Sequence, residues 1–366
     1  MSQRTGGDRF GTQRVLLPKG VLPQAAEKLD ATLPIFDNEI LIEVETLNID
    51  SASFHQLKTE AADDPKKIAE KIRKIIETRG KMHNPVTNSG GMLLGTIKEI
   101  GKHFLDRPKG PLRGRLHPAL PVEGATRAPM INDRVATLVS LTLTPLVIEE
   151  IKEIFIEKEQ VSVVGHAILF ESGIAAQMPK DIPEPIALAV LDVCGAPATV
   201  PRIVNEGDTV AVFGAGKAGV LSLYEAKKKV GKKGFVFCIE KNRESLVRLE
   251  EYPFLDEGIC VDAQDPLAVY QKVKALTGGK MADVVINCAN VPKTEMSSIL
   301  AARPGGLVYY FNMATNFQAA ALGAEGVGHD VRLMIGTGYV SGHAELALNI
   351  LRESPEILAW FGKRFS

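Results

Sequence analysis

Cysteine is scarce in this chain, and its four positions are Cys194, Cys238, Cys260 and Cys288. No two of them form a Cys-x-x-Cys pair, and all lie in the second half of the sequence. This distribution argues against a disulfide framework and against a cysteine-rich zinc knuckle. We therefore expect a protein of a reducing compartment, the cytoplasm.

There is also no excess of charge of one sign. The 366 residues include 43 basic and 44 acidic side chains, for a formal net charge of -1, so the composition does not favour a nucleic-acid partner. No run is long and apolar enough to suggest a membrane span, and the polar start of the chain lacks the apolar core of a signal sequence. With 45% hydrophobic and 24% charged residues, the chain is long enough for two domains.

The pattern of apolar residues changes near Asp208. The sequence before it is β-rich. Its strand signals cover residues 39–44, 95–100 and 135–143. After Asp208, short apolar strands alternate with helical segments, which predicts a parallel sheet covered by helices.

Two segments of the first half stand apart from the strands. Residues 63–79 are highly charged but repeat isoleucine at helical spacing, which predicts a solvated surface helix. Residues 101–132 hold many proline, glycine and arginine residues and show little periodicity. Loops of that length are usually functional or form an interface arm, so we expect a homodimer.

A glycine-rich turn follows the apolar strand 210–213 and precedes the helical run 220–229. The turn comprises Gly214, Ala215, Gly216, Lys217, Ala218 and Gly219. Gly214 permits a tight turn, Gly216 leaves room for a pyrophosphate at the backbone, and Gly219 allows helix and strand to pack closely. The helix N-terminus attracts phosphate. Strand, turn and helix together predict a dinucleotide site.

The next predicted strand, 235–239, ends at Glu240. An acid at this spacing accepts hydrogen bonds from an adenosine ribose. Glu240 favours NAD, because a carboxylate repels the 2′-phosphate of NADP. Lys241 and Arg243 follow at once, and they are either cations for that phosphate or ordinary exposed residues. We predict NAD as the cofactor, with NADP as the alternative.

Two later strands, 283–286 and 309–311, carry further candidate cofactor contacts, because ligands of such sheets bind beyond the carboxyl ends of the strands. These candidates are Cys288, Ala289, Asn290 and Met313. For Cys288, a small buried thiol without a chemical role is the alternative.

The order of these parts resembles the medium-chain dehydrogenase/reductase superfamily. The resemblance is carried by Gly95–Gly101 (GTIKEIG), Asn132–Val135 (NDRV), Ala187–Thr199 (ALAVLDVCGAPAT) and the glycine-rich turn. It implies an α/β protein with a GroES-like β-rich domain plus a doubly wound parallel-sheet (Rossmann) nucleotide-binding domain. We expect the GroES-like domain at 1–180, the Rossmann domain at 181–335 and a segment, 336–366, that packs between them.

The residues that bind catalytic zinc in many members of that superfamily are missing. The early loop, 48–55, has no cysteine, and the turn Gly90-Gly91-Met92 offers no ligand, so only Cys194 remains. Catalytic zinc needs about three protein ligands, and we therefore predict no metal. The alternative is a different ligand set made of Asp50, His55, His83 and Cys194.

A closer resemblance is to the L-erythro-3,5-diaminohexanoate dehydrogenase family. It is carried by Gly80–Gly91 (GKMHNPVTNSGG), Met92–Gly95 (MLLG), Cys194–Pro197 (CGAP) and the glycine-rich turn. It implies NAD(P)-dependent oxidative deamination of a small diamino acid to 5-amino-3-oxohexanoate and ammonia in anaerobic lysine degradation. An amine suits a metal-free site, because its own nitrogen lone pair assists the loss of hydride.

The candidate catalytic residues are His83 and Asp192. Histidine carries protons near neutral pH, and Asp192 interrupts an apolar run, so its carboxylate should be paired or face a cleft. The candidate substrate-binding residues have side chains that hold an ammonium or a carboxylate group. They are Asn84, Thr87, Asn88, Ser89, Asp50 and Glu123. The alternatives are a self-bonded turn at 83–89 and a purely structural Asp192. Arg79 and Lys81 are either partners of a substrate carboxylate or solvated surface residues.

Two other functions remain open at this point. One is a zinc-free, NADPH-dependent reductase of quinone or enoyl type, which requires apolar walls around its substrate. The other is a nucleotide-binding protein without catalysis. The polar turn at 83–89 favours the amine dehydrogenase.

Overall fold

The computed structural model describes residues 3–84, 89–105, 122–123 and 130–365. The chain forms two compact units. Unit 1 is Met1–Asp192 together with Arg364–Ser366, and unit 2 is Val193–Lys363. Our expected boundary, residue 180, lies earlier in the chain than this division.

Unit 1 is built mainly from strands. They are β1 (Val15–Leu17), β2 (Lys28–Leu29), β3 (Glu39–Asn48), β4 (Met92–Ile100), β5 (Val122–Glu123), β6 (Arg134–Thr137), β7 (Leu146–Phe155), β8 (Gln160–Phe170) and β9 (Ala175–Gln177). Its helices are α1 (Ser51–Glu60), α2 (Pro65–Arg79), α3 (Lys102–Leu105) and α4 (Glu184–Leu191). Short 3-10 turns cover Thr12–Arg14, Leu141–Leu143 and Ile156–Lys158.

The main sheet of unit 1 has the order β5-β9-β6-β4-β3-β8-β7. Strand β3 is central and pairs antiparallel with β4 and β8. Its apolar residues alternate along the strand, so that Ile40, Ile42 and Val44 are buried in one core. The strands predicted at 39–44 and 95–100 are confirmed, and both are longer than the sequence pattern indicated.

The strand predicted at 135–143 is wrong in its second half. Strand β6 ends at Thr137, and Leu141–Leu143 is a 3-10 turn. The Ser140 side chain accepts a hydrogen bond from the Thr142 amide, which favours a turn over an extended chain. From residues 101–132, the described ones are 101–105, 122–123 and 130–132, and the remainder of that predicted loop lies outside the described residues.

Helix α2 confirms the surface helix predicted at 63–79. Asp64 caps its N-terminus, Pro65 occupies the first turn, and Gly80 ends the helix with a φ of 64°. Ile68, Ile72 and Ile76 are fully buried in the core of unit 1, while the charged residues between them face solvent.

Unit 2 alternates strands and helices. Its strands are β10 (Thr209–Phe213), β11 (Phe235–Glu240), β12 (Glu257–Cys260), β13 (Ala282–Asn287), β14 (Ala302–Tyr310) and β15 (Arg332–Ile335). Its helices are α5 (Gly195–Ile203), α6 (Lys217–Val230), α7 (Arg243–Glu250), α8 (Pro266–Leu276), α9 (Glu295–Ala301), α10 (Phe317–Gly326), α11 (His343–Glu353) and most of α12 (Pro355–Phe365). A 3-10 turn covers Gly231–Lys233.

The sheet of unit 2 is parallel and has the order β12-β11-β10-β13-β14-β15. The strand order reverses direction between β10 and β13, which is the switch point of a doubly wound fold. Strands β10 and β13 are almost wholly buried because helices cover both faces of the sheet. The predicted parallel sheet is confirmed.

In the described part of the chain, no single helix is long and apolar enough to cross a membrane. Two short helices, α4 and α5, reach that length and hydropathy only when they are counted together.

Candidate active site

The glycine-rich turn connects β10 to α6 at the switch point of unit 2. Gly214 has a φ of 92°, and a Cβ at this residue would lie 3.1 Å from the Ala289 backbone. A Cβ at Gly219 would lie 1.8 Å from the Gly214 carbonyl oxygen, so the helix packs onto the turn only if residue 219 is glycine. A Cβ at Gly216 would meet no protein atom within 4 Å. The turn is therefore closed on the protein side and open at Gly216.

Glu240 contacts this turn directly. Its Oε2 accepts a hydrogen bond from the Ala215 amide at 2.8 Å, and its Oε1 accepts one from the Asn242 amide at 2.8 Å. Two backbone donors therefore hold the carboxylate beside the turn. Lys217 and Ala218 begin α6 and are buried, as is Ala215. The structure thus brings the six turn residues and Glu240 together at one end of the sheet.

Lys241 and Arg243 lie beyond Glu240, and each contacts an acid. Lys241 Nζ is 2.6 Å from Asp262 Oδ2, and Arg243 Nη1 is 3.5 Å from Glu250 Oε1. Both basic side chains are well exposed. The Lys241 ammonium lowers the pKa of Asp262 by its hydrogen bond.

The ends of β13 and β14 are joined by a buried asparagine that our candidate set did not include. Asn287 Nδ2 donates to Thr294 Oγ1 at 2.9 Å and to Ser298 Oγ at 2.8 Å. Its Oδ1 accepts from the Ala289 amide and from Asn312 Nδ2, both at 3.0 Å. Asn287 therefore fixes the backbone of residues 288–289. Its place at a strand end was visible in the sequence, but its bonding partners come from three other elements.

The predicted contacts at these strand ends differ in exposure. Cys288 Sγ lies 3.9 Å from Ser222 Oγ of α6, and burial raises the pKa of the thiol to about 12. A thiol with this pKa stays protonated at neutral pH, as in the alternative interpretation of Cys288. Ala289 is half-buried, whereas Asn290 and Met313 are exposed.

In unit 1, Asp50 uses only half of its carboxylate for structure. Its Oδ1 caps α1 by accepting a hydrogen bond from the Ser53 amide at 2.9 Å. Its Oδ2 is buried and has no hydrogen-bond partner within the described ranges of the chain. A buried carboxylate oxygen without a donor is costly, so this atom calls for a donor from a ligand or water.

The described residues on either side of the predicted polar turn lie near Asp50 and its helix α1. Gly91 has a φ of 80°, and a Cβ there would lie 2.0 Å from the Asn48 carbonyl oxygen and 2.7 Å from the Asp50 nitrogen. The buried Asn84 side chain donates to Gln56 Oε1 of α1. The Asn84 amide also donates to the Ser89 carbonyl at 2.9 Å.

The other candidates of unit 1 are placed as follows. His83 is half-buried and directly precedes Asn84. Asp192 is the half-buried C-cap of α4, and its amide donates to the Leu188 carbonyl at 3.1 Å. Glu123 is in β5, in register with Ala176. Thr87 and Asn88 lie outside the described residues.

The interpretation of Lys81 as a solvated surface residue is wrong. Lys81 is fully buried, and its Nζ donates to the carbonyl oxygens of Pro23 at 2.9 Å and Gln24 at 3.3 Å. Burial, with a contribution from Arg79, lowers the pKa of Lys81 to about 8. The sequence around Lys81 gave no sign that this lysine is buried.

The described residues contain no group of three or more histidine, cysteine, aspartate or glutamate side chains with the geometry of a metal site. The absence of metal stays a prediction.

Comparison with solved structures defines the fold. A mycobacterial protein solved in complex with NADPH matches with a TM-score of 0.52 at 16% identity, covering 86% of this chain and 80% of that chain. An alcohol dehydrogenase from Thermotoga maritima matches with a TM-score of 0.52 at 14% identity, covering 89% of this chain and 85% of that chain. The fold is that of the medium-chain dehydrogenases: a GroES-like β-rich unit and a Rossmann unit.

Sequence relatives define the family within that class. Residues 13–179 match the model of the L-erythro-3,5-diaminohexanoate dehydrogenase N-terminal domain. The enzyme of that name from Acetoanaerobium sticklandii is 49% identical over 360 residues, 98% of this chain and 99% of that protein. The Fusobacterium nucleatum enzyme is 47% identical over 349 residues, 95% of this chain and 96% of that protein. This chain belongs to the L-erythro-3,5-diaminohexanoate dehydrogenase family of oxidoreductases, which confirms the resemblance found in its sequence.

Proposed function

We propose that this chain catalyses the NAD-dependent oxidative deamination of L-erythro-3,5-diaminohexanoate to 5-amino-3-oxohexanoate and ammonia. The observation that carries the proposal is near-half identity to two enzymes of that name over almost the whole chain. The reaction needs a dinucleotide site and a group that binds an ammonium. The glycine-rich turn supports the first, and the Asp50 carboxylate, with one unpartnered oxygen among the described residues, supports the second.

The turn fits a dinucleotide. The backbone at Gly216 is open for a pyrophosphate, and the N-terminus of the 14-residue helix α6 begins directly after it. We assign Gly214–Gly219 to the pyrophosphate and Glu240 to the adenosine ribose, while Ala289, Asn290 and Met313 lie where the nicotinamide is expected. NAD bound there would supply the hydride acceptor. Because Glu240 repels a 2′-phosphate, NAD is the proposed cofactor. Lys241 and Arg243, which follow Glu240, are the cations that NADP would need.

Asp50 and the turn that begins at His83 are assigned to the amino acid. Asp50 Oδ2 accepts a hydrogen bond from a substrate ammonium group, and Asn84 and Ser89 order the turn beside it. His83 or Asp192 takes a proton from the reacting ammonium group, and the amine is then neutral. The C3–H bond breaks as hydride leaves, the nitrogen lone pair forms a C=N bond, and water then replaces nitrogen to give the ketone and ammonia.

The test is a paired assay of the purified protein. With NAD and L-erythro-3,5-diaminohexanoate, we expect reduced nicotinamide and ammonia in equal amounts. With NADP, we expect a slower reaction. If neither nucleotide is reduced while NADPH with a quinone or enoyl substrate is consumed, the deaminase assignment is wrong. We also propose a homodimer, which light scattering at micromolar concentration checks.

A further inference from the structure

Three charged side chains at the end of β11 bear on the choice between NAD and NADP. Glu240 is held beside the glycine-rich turn by two backbone amides. Lys241 and Arg243 follow it and carry the charge that a 2′-phosphate would attract. Lys241 is the more informative of the two cations for this choice, because a specific acid holds its ammonium group.

That acid is Asp262, which lies just beyond the neighbouring strand. Strands β11 and β12 pair in parallel with Glu240 opposite Cys260, so Lys241 and Asp262 both follow the carboxyl ends of their strands. The Lys241 Nζ to Asp262 Oδ2 distance is 2.6 Å. The Lys241 backbone carbonyl also accepts from Cys260 Sγ at 3.5 Å, which connects the two strand ends.

Asp262 is itself held by its backbone surroundings. Its Oδ1 accepts a hydrogen bond from the Gln264 amide at 3.0 Å, and its carbonyl accepts one from the Asp265 amide at 3.0 Å. Gln264 in turn donates to the Pro292 carbonyl at 3.0 Å. The carboxylate is therefore fixed in a turn, with Oδ2 directed to Lys241. Lysine side chains are otherwise flexible, and 70% of this one is exposed.

We infer that Asp262 is a specificity-determining residue, which favours NAD over NADP by holding the Lys241 ammonium away from the ribose beside Glu240. This inference rests on the proposed function, because it assumes a dinucleotide at the glycine-rich turn. With Lys241 neutralised, a 2′-phosphate meets the Glu240 carboxylate without a compensating cation. Release of Lys241 supplies that cation, since a phosphate attracts a flexible ammonium as a point charge.

The experiment measures binding of NADH and NADPH to the full chain by fluorescence titration at low ionic strength, so that no turnover is required. Asp262→Asn keeps the Gln264 contact through the amide oxygen and removes the charge that holds Lys241. We expect NADPH affinity relative to NADH to rise about threefold to tenfold, the range of an exposed charge contact. The gain should shrink as salt is added.

A double-variant cycle separates release of Lys241 from simple loss of a negative charge. In the Lys241→Ala background, Asp262→Asn should leave the NADPH to NADH ratio nearly unchanged. Glu353→Gln is the matched control. It removes the acid of another 2.6 Å lysine pair, with Lys228 near the far end of α6, and should not alter the ratio.

An unchanged ratio in Asp262→Asn overturns the inference, and so does an equal gain with and without Lys241. These results differ from failure of the proposed function, in which the unaltered chain binds neither nucleotide.

Discussion

The two carboxylate oxygens of Asp50 have different surroundings. Its Oδ1 closes the first turn of α1, whereas its Oδ2 is buried without a hydrogen-bond donor in the described part of the chain. Only a group that brings its own donor satisfies that oxygen. A substrate ammonium is such a group.

Asp50→Asn should lower kcat/KM for the diamino acid about 10- to 100-fold, because an amide replaces the charge that binds the ammonium group. The helix cap survives through the remaining oxygen, so thermal unfolding should change little. Asp64→Asn is the matched control, since Asp64 caps α2 in the same way. Unchanged steady-state kinetics in Asp50→Asn would remove Asp50 from the site.

Lys81 is a second residue whose burial has a measurable consequence. Its folded-state pKa is about 8, below the ordinary 10.5, so between these values the unfolded chain binds a proton that the folded chain does not. Unfolding then takes up a proton, and the free energy of unfolding rises with pH through this window. This gain in the free energy of unfolding is lost as the pH falls from 10.5 towards 8.

Relative to Lys81→Met, the native protein should therefore gain about 2 kcal/mol of stability between pH 8 and pH 10.5, as measured by urea unfolding. The exposed residue Lys74 provides the control, and Lys74→Met should show no such pH-dependent difference. A pH-independent difference for Lys81→Met would mean that Lys81 is already charged in the folded protein at high pH.

At the scale of elements, two glycines at the junction of β10 and α6 differ in the space around them. Gly219 and Gly216 have opposite surroundings: a Cβ would meet the Gly214 carbonyl at 1.8 Å in one case and no atom within 4 Å in the other. The fold therefore requires glycine at residue 219, whereas Gly216 leaves open space beside the backbone.

We expect Gly219→Ala to lower the melting temperature of the protein and to abolish NADH binding, because a backbone carbonyl cannot yield to the added methyl group. Gly216→Ala should keep the melting temperature and weaken NADH binding at least about tenfold, since the methyl group occupies the space assigned to the pyrophosphate. Equal NADH affinity in Gly216→Ala and the native chain would place the pyrophosphate elsewhere.

The elements differ in how well local pattern predicted them. Strand β10 and helix α2 were predicted closely, because continuous apolar runs and isoleucine spacing are local signals. Strand β15 was not predicted, since it is an edge strand whose apolar run has only three residues, Leu333–Ile335. The error at 138–143 came from a serine side chain that competes for backbone amides.

At the scale of the whole molecule, the chain combines a mainly antiparallel sheet in unit 1 with a parallel sheet in unit 2. Its family shares this fold with dehydrogenases that bind zinc, yet only Cys194 remains of the usual ligand positions. We expect elemental analysis of the active enzyme to find less than stoichiometric zinc, and a chelator to leave turnover unchanged. Loss of activity with chelator and its return with zinc would reveal a ligand set of another kind.

The order of residues alone determined the two-part architecture and the glycine-rich turn, because periodicity and glycine spacing are local properties of the chain. It also indicated the family, through the resemblance of its motifs. Tertiary structure decided which polar atoms are buried and which partners they bond to. The hydrogen bonds of Asn287, the buried amine of Lys81 and the pairing of Lys241 with Asp262 each join residues from separate elements. Such pairings arise only when packing removes water from one partner and places the other within bonding distance.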